Sequence, residues 1–497
     1  MKNKQNDLTA LQSEQLINLS EYGLRYLGDI PIRDSKDIVK SRIGVGFETL
    51  DRQMFDPEKV YPHLAKLGAK FARVQTGWSR CETSKGVYDF TWLEEIVDQL
   101  IEVGVEPLFS LSFGNTLYCT DAEHESAVGY VPLYYGEEAT QAWRNYLTAL
   151  AETFKGRVRS WEVWNEPNIS QFWYPKEPDP TAYAELVRIS AKAVRSGHPS
   201  ARIIGGAMSK LDSHFLEAIL QCGIAKHIDA FSFHPYQLVP EDNMLNMHAV
   251  IRRLLDKYSD GKDIEIWQGE NGCPSQTEGH NDDWLGLYDT DQVVQAKWVV
   301  RRILCDLKND YDMALYFHAV DLMARPYRQS DGKERKPVMM GLVHGDSYEP
   351  KYSFEAMQRV CTLFDSDSHV EELYCQFLEP NPARPSLCGR MGGPMSASFT
   401  RKGVPLVALW LTEDPQQKRP AEEIDLVFWC DSNLKFDEPV LADIMTGRIY
   451  DVAPLLSPFV PGRKDVGLRC RIPLPDYPLI LTDRSVFDEF GGMVDSQ

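Results

Sequence analysis

Two glutamates stand in short segments whose composition suits acid–base and nucleophilic chemistry. Glu166 lies in WEVWNEPN and Glu270 lies in IWQGENG. A retaining glycosidase holds two carboxyl groups roughly 5 to 5.5 Å apart, one as nucleophile and the other first as acid and then as base. The pair is a candidate for that chemistry, with Glu166 as acid/base and Glu270 as nucleophile, if the fold brings the two segments together.

Polar residues in neighbouring segments could tune these two carboxyl groups. Arg73 and the Tyr236 hydroxyl are candidates to stabilise a Glu270 carboxylate, and the Asn165 amide is a candidate to hold a sugar 2-hydroxyl. We expect the pKa of the acid to be raised and that of the nucleophile to be lowered. His234 fits two interpretations equally, orienting Tyr236 or satisfying a polar position in the core.

Eight β-rich runs alternate with helical patterns between residues 42 and 365, which predicts a (β/α)8 barrel in an α/β chain. The runs are 42–48, 70–76, 106–113, 158–165, 201–208, 228–236, 264–271 and 313–322. The alternative, an open doubly wound sheet, lacks the third glycine of a phosphate loop after Gly44 and Gly46. Because active sites of barrels form at the carboxyl ends of the strands, both glutamates are predicted to lie at one rim.

The rest of the chain has a different pattern. After residue 366, short apolar runs broken by Pro, Gly and Asp predict a smaller antiparallel β-sandwich. We therefore predict an N-terminal segment over 1–40 that packs on the β domain, a catalytic barrel over 41–365 and an accessory domain over 366–497.

Composition excludes several classes of partner. The 497 residues carry 73 Asp+Glu against 53 Lys+Arg, a net charge of −20, which disfavours nucleic acid and anionic membrane surfaces. No apolar run is long enough for a membrane span, and the N-terminus lacks the apolar core of a signal peptide, so we expect a cytoplasmic protein. Ten cysteines without a C-x-x-C pair, and histidines without H-E-x-x-H, predict no metal and no other cofactor. The oligomeric state stays open.

The quoted motifs resemble clan A glycoside hydrolases. WEVWNEPNISQFW, RIIGGAM, DAFSFHPY and IWQGENG, together with the stretch from ARVQT to LSFGN, are similar to family 39, most of all to its bacterial polysaccharide-cleaving branch. The resemblance covers about residues 42 to 365. It implies a retaining mechanism on a β-type or α-L bond, with Glu166 as acid/base, Glu270 as nucleophile, Asn165 at the 2-hydroxyl, and Arg73 and Tyr236 as partners of the nucleophile.

Three further residues are candidate sugar contacts. Asn115 lies in GNTLY, a run that the same branch also has after its third strand, and Trp173 is a loop aromatic that could stack on a sugar. His318 in YFHAVDL occupies the place where relatives carry a tryptophan, which makes the innermost subsite different. The basic loop ARPYRQSDGKERK (324–336) is a solvated loop or a site for an acidic sugar.

Two other functions compete with hydrolysis. A catalytically silent carbohydrate-binding barrel would keep the fold, although both carboxylates are present here. A transglycosidase would use a sugar instead of water as the acceptor.

Overall fold

A closed barrel of eight parallel strands forms the centre of the molecule. The computed structural model describes residues 12, 14–278, 280, 283–323, 336–371, 374–378, 393–417, 419–429, 436–461 and 463–493. A strand β1 (Arg25–Asp29) precedes the barrel. The barrel strands are β2 (Ile43–Gly46), β3 (Phe71–Gln75), β4 (Glu106–Leu111), β5 (Ser160–Val163), β6 (Arg202–Ser209), β7 (Ala230–His234), β8 (Glu265–Asn271) and β9 (Met313–Tyr316). They pair in chain order, and β9 closes the ring on β2.

The predicted barrel is therefore confirmed, and each observed strand coincides with a predicted run. The eighth run was predicted too long, because the chain leaves the barrel ladder after Tyr316. Val320 and Leu322 instead bridge to Val343 and Val338 in the segment that follows. Gly44 in β2 allows the close approach of β9, because a Cβ at this position would lie 2.4 Å from Leu315 Cδ2.

In the described part of the chain, one main helix follows each of the eight barrel strands. They are α1 (Tyr61–Leu67), α2 (Thr91–Glu102), α3 (Gly136–Phe154), α4 (Pro180–Gly197), α5 (Ser213–Gln221), α6 (Met244–Tyr258), α7 (Gln292–Lys308) and α8 (Tyr352–Leu363). Helix α4 begins as the Asp-Pro pair predicts, with the Asp179 side chain accepting from Thr181 N and Pro180 at the first position. Among the described helices, none is both long and apolar enough to cross a membrane.

Two antiparallel sheets follow the barrel, as the fold class predicts. Their strands are β10 (Ser368–Val370), β11 (Tyr374–Phe377), β12 (Pro394–Arg401), β13 (Val404–Leu411), β14 (Glu422–Trp429), β15 (Pro439–Asp443), β16 (Arg448–Asp451), β17 (Leu456–Val460), β18 (Arg463–Leu474) and β19 (Leu479–Asp483). One sheet has the order β1-β16-β15-β19-β13-β12-β10 and the other β11-β14-β18-β17. Strand β1 pairs with β16, so the N-terminal part of the chain completes the larger sheet. The boundaries at residues 40 and 365 stay predictions.

Buried ion pairs join the barrel to these sheets through α7. The Lys297 ammonium lies 2.8 Å from a carboxylate oxygen of Asp476, and neither side chain is exposed. Arg301 binds both oxygens of Glu241 at 2.7 Å, and the Trp410 indole donates to the same carboxylate at 2.7 Å. Buried charges that are fully paired tolerate little displacement, so these contacts fix the orientation of the sheets on the barrel.

Candidate active site

Glu166 lies just past the end of β5 in an unusual backbone conformation. Trp164 and Glu166 have φ angles of 71° and 46°, a left-handed region that costs energy for residues other than glycine. The Glu166 amide donates to the Ala207 carbonyl at 2.7 Å, and the register of β6 shifts at that point, between Gly205 and Met208. The irregular strand β6 thus supplies the acceptor that holds Glu166 at the rim.

Glu270 lies near the end of β8, across the barrel mouth from β5. The Tyr236 hydroxyl donates to Glu270 Oε1 at 2.7 Å, and Arg73 Nη1 donates to Glu270 Oε2 at 3.0 Å. The side chain keeps 13% of its surface exposed, so this carboxylate is held from two sides and is still reachable. Both partners are residues that the sequence proposed for this role.

His234 links the two glutamates. Its Nδ1 lies 3.1 Å from Glu166 Oε1 and 3.7 Å from Glu270 Oε2. One carboxyl oxygen of each glutamate and the ring nitrogen all lie within 4.8 Å of one another. Inverting glycosidases need about 6.5–9.5 Å between their carboxyl groups to seat a water, whereas retaining enzymes need about 5–5.5 Å. The separation found here matches the shorter class.

Arg73 is the centre of the polar network beneath these residues. The guanidinium is fully buried and donates to Glu162 Oε2 at 2.6 Å, Glu48 Oε1 at 2.7 Å and Asn165 Oδ1 at 2.8 Å, in addition to Glu270. One cation therefore binds three carboxylates and fixes the Asn165 amide. Because charge-assisted hydrogen bonds of this kind are directional, the network sets the position of Glu270 to within a narrow range.

Sequence reasoning missed Glu48 and Glu162. Glu162 is a charged residue inside the apolar strand β5, and Glu48 lies two residues past the end of β2 at the same rim as the other candidates. These positions could have indicated a polar network, because a buried charge on a barrel strand requires a buried partner. Glu48 Oε2 also lies 3.3 Å from His318 Nε2, which places His318 beside the network.

Burial and charge shift the pKa values of this cluster in opposite directions. Burial, together with the neighbouring Glu166 carboxyl, raises the pKa of Glu270 even though His234 and Arg73 lower it. The sequence argument expected a lowered pKa for this residue, and the difference arises because the carboxylate is buried. Burial also acts on Glu48, but His318 and Arg73 outweigh it and lower the pKa. The pKa of His234 is raised, because the two glutamates outweigh the effect of burial.

Asn115 and Trp173, two further predicted sugar contacts, are buried and hydrogen-bonded to neighbouring protein groups. Asn115 is 1% exposed, and its side chain is hydrogen-bonded to the backbone of Trp78, Glu82 and Leu117. Trp173 is fully buried and donates to the Tyr134 hydroxyl at 3.0 Å. Both residues support loops at the rim in this structure. In the basic loop, residues 324–335 lie outside the described part of the chain.

Within the described residues, one group of His, Cys, Asp and Glu side chains has the spacing of a metal site. It consists of Glu166, His234 and Glu270. Glu166 is hydrogen-bonded to His234, and Glu270 accepts from Tyr236 and Arg73, which is an arrangement that suits an acid–nucleophile pair.

Comparison with known proteins relates this barrel to one enzyme family. A family model described as glycosyl hydrolases family 39 matches residues 72–278, a segment that contains Glu166, His234, Tyr236 and Glu270. Over this segment the barrel is similar to glycosyl hydrolase family 39. The resemblance proposed from the motifs is thereby confirmed, and with it the assignment to clan A.

Curated proteins and solved structures are also similar to parts or all of this chain. A β-xylosidase of Geobacillus stearothermophilus is 25% identical over 34% of this chain and 38% of that protein. A family 39 glycoside hydrolase of Bacteroides cellulosilyticus WH2 superposes with a TM-score of 0.65 at 19% identity, covering 91% of this chain and 82% of that one. A monomeric β-xylosidase of Caulobacter crescentus CB15 gives 0.57 at 16% identity, covering 92% and 97%. The sequence matches span less than two fifths of the curated relatives, and the structural matches show the fold.

Proposed function

We propose that this protein is a retaining glycoside hydrolase that cleaves a β-type or α-L glycosidic bond of an oligo- or polysaccharide. The observation that carries the proposal is the close approach of Glu166 and Glu270, whose oxygens lie within 4.8 Å at the mouth of a family 39 barrel. Carboxyl groups this close leave no room for a water between nucleophile and substrate, which favours direct attack by one of them.

The geometry supports two displacement steps. In the first, Glu270 attacks the anomeric carbon while the glycosidic C–O bond breaks, and Glu166 in its acid form gives its proton to the leaving oxygen. In the second, Glu166 takes a proton from water, the water oxygen bonds to the anomeric carbon, and the Glu270 carboxylate leaves. Arg73 and Tyr236 stabilise that carboxylate whenever it is free, since they donate to its two oxygens.

Charge beneath the site also fits this chemistry. Glu48, Glu162 and Glu270 share the Arg73 guanidinium, so three carboxyl groups lie against one guanidinium beneath the anomeric position, which favours a negative potential there. An oxocarbenium-like transition state carries positive charge at that carbon. A fixed field of this sign stabilises the transition state more than the neutral substrate.

Xylosides are the first substrates to test, because two of the curated relatives are named β-xylosidases. The experiment compares wild type and Glu270→Ala on a panel of aryl β-glycosides and α-L-glycosides that includes xyloside and glucuronide. Release by the wild type that falls by roughly 10⁴-fold or more in the variant supports the proposal. Equal rates in both proteins would remove Glu270 from the mechanism.

Product analysis separates hydrolysis from the two alternatives. Proton NMR during the reaction shows the anomeric configuration of the product as it is first formed. An initial product with the same configuration as the substrate establishes retention. Transfer to an added sugar in preference to water would identify a transglycosidase, and binding of oligosaccharides without any turnover would identify a silent barrel. The cytoplasmic location remains a prediction.

A further inference from the structure

We propose that Trp284, on the loop after β8, is a stacking platform for a second sugar unit of the substrate, next to the unit attacked by Glu270. This inference rests on the proposed function and extends it. It concerns a residue that neither the motifs nor the polar network of the site includes. Trp284 begins a short 3-10 helix, Trp284–Leu287, that stands at the mouth of the barrel.

The position of the indole is defined by Tyr236. The two rings meet edge to face, with centroids 5.2 Å apart and an interplanar angle of 68°. The Tyr236 hydroxyl is the group that donates to Glu270 at 2.7 Å. The indole therefore lies one aromatic ring beyond the residue that holds the predicted nucleophile. At this position the indole is too far away to contact the reacting carbon, but it is suitably placed to contact the neighbouring sugar ring of the substrate.

Trp284 remains accessible although it is packed against two tyrosines. The centroid of the Tyr288 ring lies 6.2 Å from that of Trp284, yet 49% of the tryptophan is exposed. Aromatic faces bind apolar surfaces such as the C–H face of a pyranose, and the indole N–H offers one donor to a hydroxyl. An exposed indole contiguous with a carbohydrate site is thus matched to a sugar ring.

The loop is held on three sides, so the indole is ordered before substrate binds. The His280 ring bonds to Asp283 and to the Pro337 carbonyl, both at 2.7 Å, and Asp283 caps the short helix by accepting from Leu285 N. The Asp289 amide donates to Gln416 in the β domain. Binding to a fixed surface avoids the entropy cost of ordering a loop, which makes the contact more effective. The accessory sheets thereby take part in presenting the platform.

The test compares a substrate with one sugar ring to a substrate with several. A β-xylosyl fluoride has a single ring and a fluoride leaving group, whereas xylotetraose offers further rings to the platform. We expect Trp284→Ala to lower kcat/KM for xylotetraose about tenfold, the value of one aromatic stacking contact, while the fluoride rate stays within about twofold. Leu287→Ala is the matched control, because Leu287 lies on the same turn and is 70% exposed.

A binding measurement makes the test independent of turnover. In a Glu270→Gln background, calorimetry should show xylotetraose binding about tenfold more weakly when Trp284 is also replaced by alanine. Equal losses on both substrates would overturn the inference, because they would mean that Trp284 only supports Tyr236. Unchanged affinity and unchanged kcat/KM for xylotetraose would overturn it as well. If no substrate is turned over but xylotetraose still binds in a way that depends on Trp284, the proposed hydrolysis is refuted and the stacking platform is retained.

Discussion

The hydrogen bond from Tyr236 to Glu270 lends itself to a quantitative test. Tyr236→Phe removes one hydroxyl and keeps the ring that supports Trp284, while Arg73 continues to hold the other carboxylate oxygen at 3.0 Å. The lost bond is 2.7 Å long, accepted by a charged group and partly shielded from water. Such bonds contribute about 1.5–3 kcal/mol, so kcat/KM should fall roughly 10- to 150-fold.

The assay is initial-rate hydrolysis of an aryl glycoside selected from the panel, measured across the pH range. The control is Tyr258→Phe, which removes a 2.8 Å hydrogen bond to Glu217 on the barrel surface and should leave the rate unchanged. A donor favours the charged form of a carboxylate, so the acid limb of kcat/KM should also move to higher pH in Tyr236→Phe. A rate within twofold of wild type would refute the idea that Tyr236 stabilises the Glu270 carboxylate, as would an equal fall in the control.

Three further predictions concern charge and packing. Glu270→Gln should raise the melting temperature at pH 7.5 and leave it unchanged at pH 4. The pKa of Glu270 is raised in the folded state, so ionisation of this residue destabilises the fold as the pH rises above the unfolded-state pKa. Lys297→Met should destabilise the protein by about 3–5 kcal/mol in a urea titration, because the charge of Asp476 stays buried without its partner. Gly46→Ala should lower kcat at least about tenfold with little change in KM, because its Cβ would lie 2.4 Å from Glu48 Oε2 and displace that carboxylate from Arg73.

Each of these has an outcome that would contradict it. A gain for Glu270→Gln that is equal at both pH values would mean that the ionisation of Glu270 does not cause it. Replacing both partners, as Lys297→Met with Asp476→Leu, should recover most of the lost stability, and no recovery would place the defect elsewhere. Wild-type kinetics in Gly46→Ala would show that Glu48 is not needed to position Arg73.

The barrel and its two central glutamates could be predicted because their signals are local. Runs buried on both faces mark parallel strands, and strand ends converge at one rim, so Glu166 and Glu270 follow from their places in the pattern. The partners of Glu270 followed from the same strand pattern, since Arg73 lies within β3 and Tyr236 lies two residues past the end of β7.

The rest of the site depends on contacts that no local pattern records. In the sequence, Glu48 and Glu162 look like ordinary charged residues. Only the folded structure shows that both bind the Arg73 guanidinium. Asn115 matched a motif, and in the folded chain its side chain donates to the Glu82 carbonyl and accepts from the Leu117 amide. The raised pKa of Glu270 depends on the balance between burial and four neighbouring charges, which only the assembled barrel determines.

The pairing of β1 with β16 has a consequence for synthesis of the chain. Arg25 of β1 lies opposite Asp451 of β16, so the first strand emerges from the ribosome long before its partner exists. At typical translation rates of about 5–20 residues per second, the interval is roughly 20–80 s, ample time for the intervening barrel to fold. During that time the β1 segment has no partner strand, and unpaired strand-forming segments can pair with other chains. Yield during expression should therefore respond to translation speed and to chaperones that cover nascent β-strands.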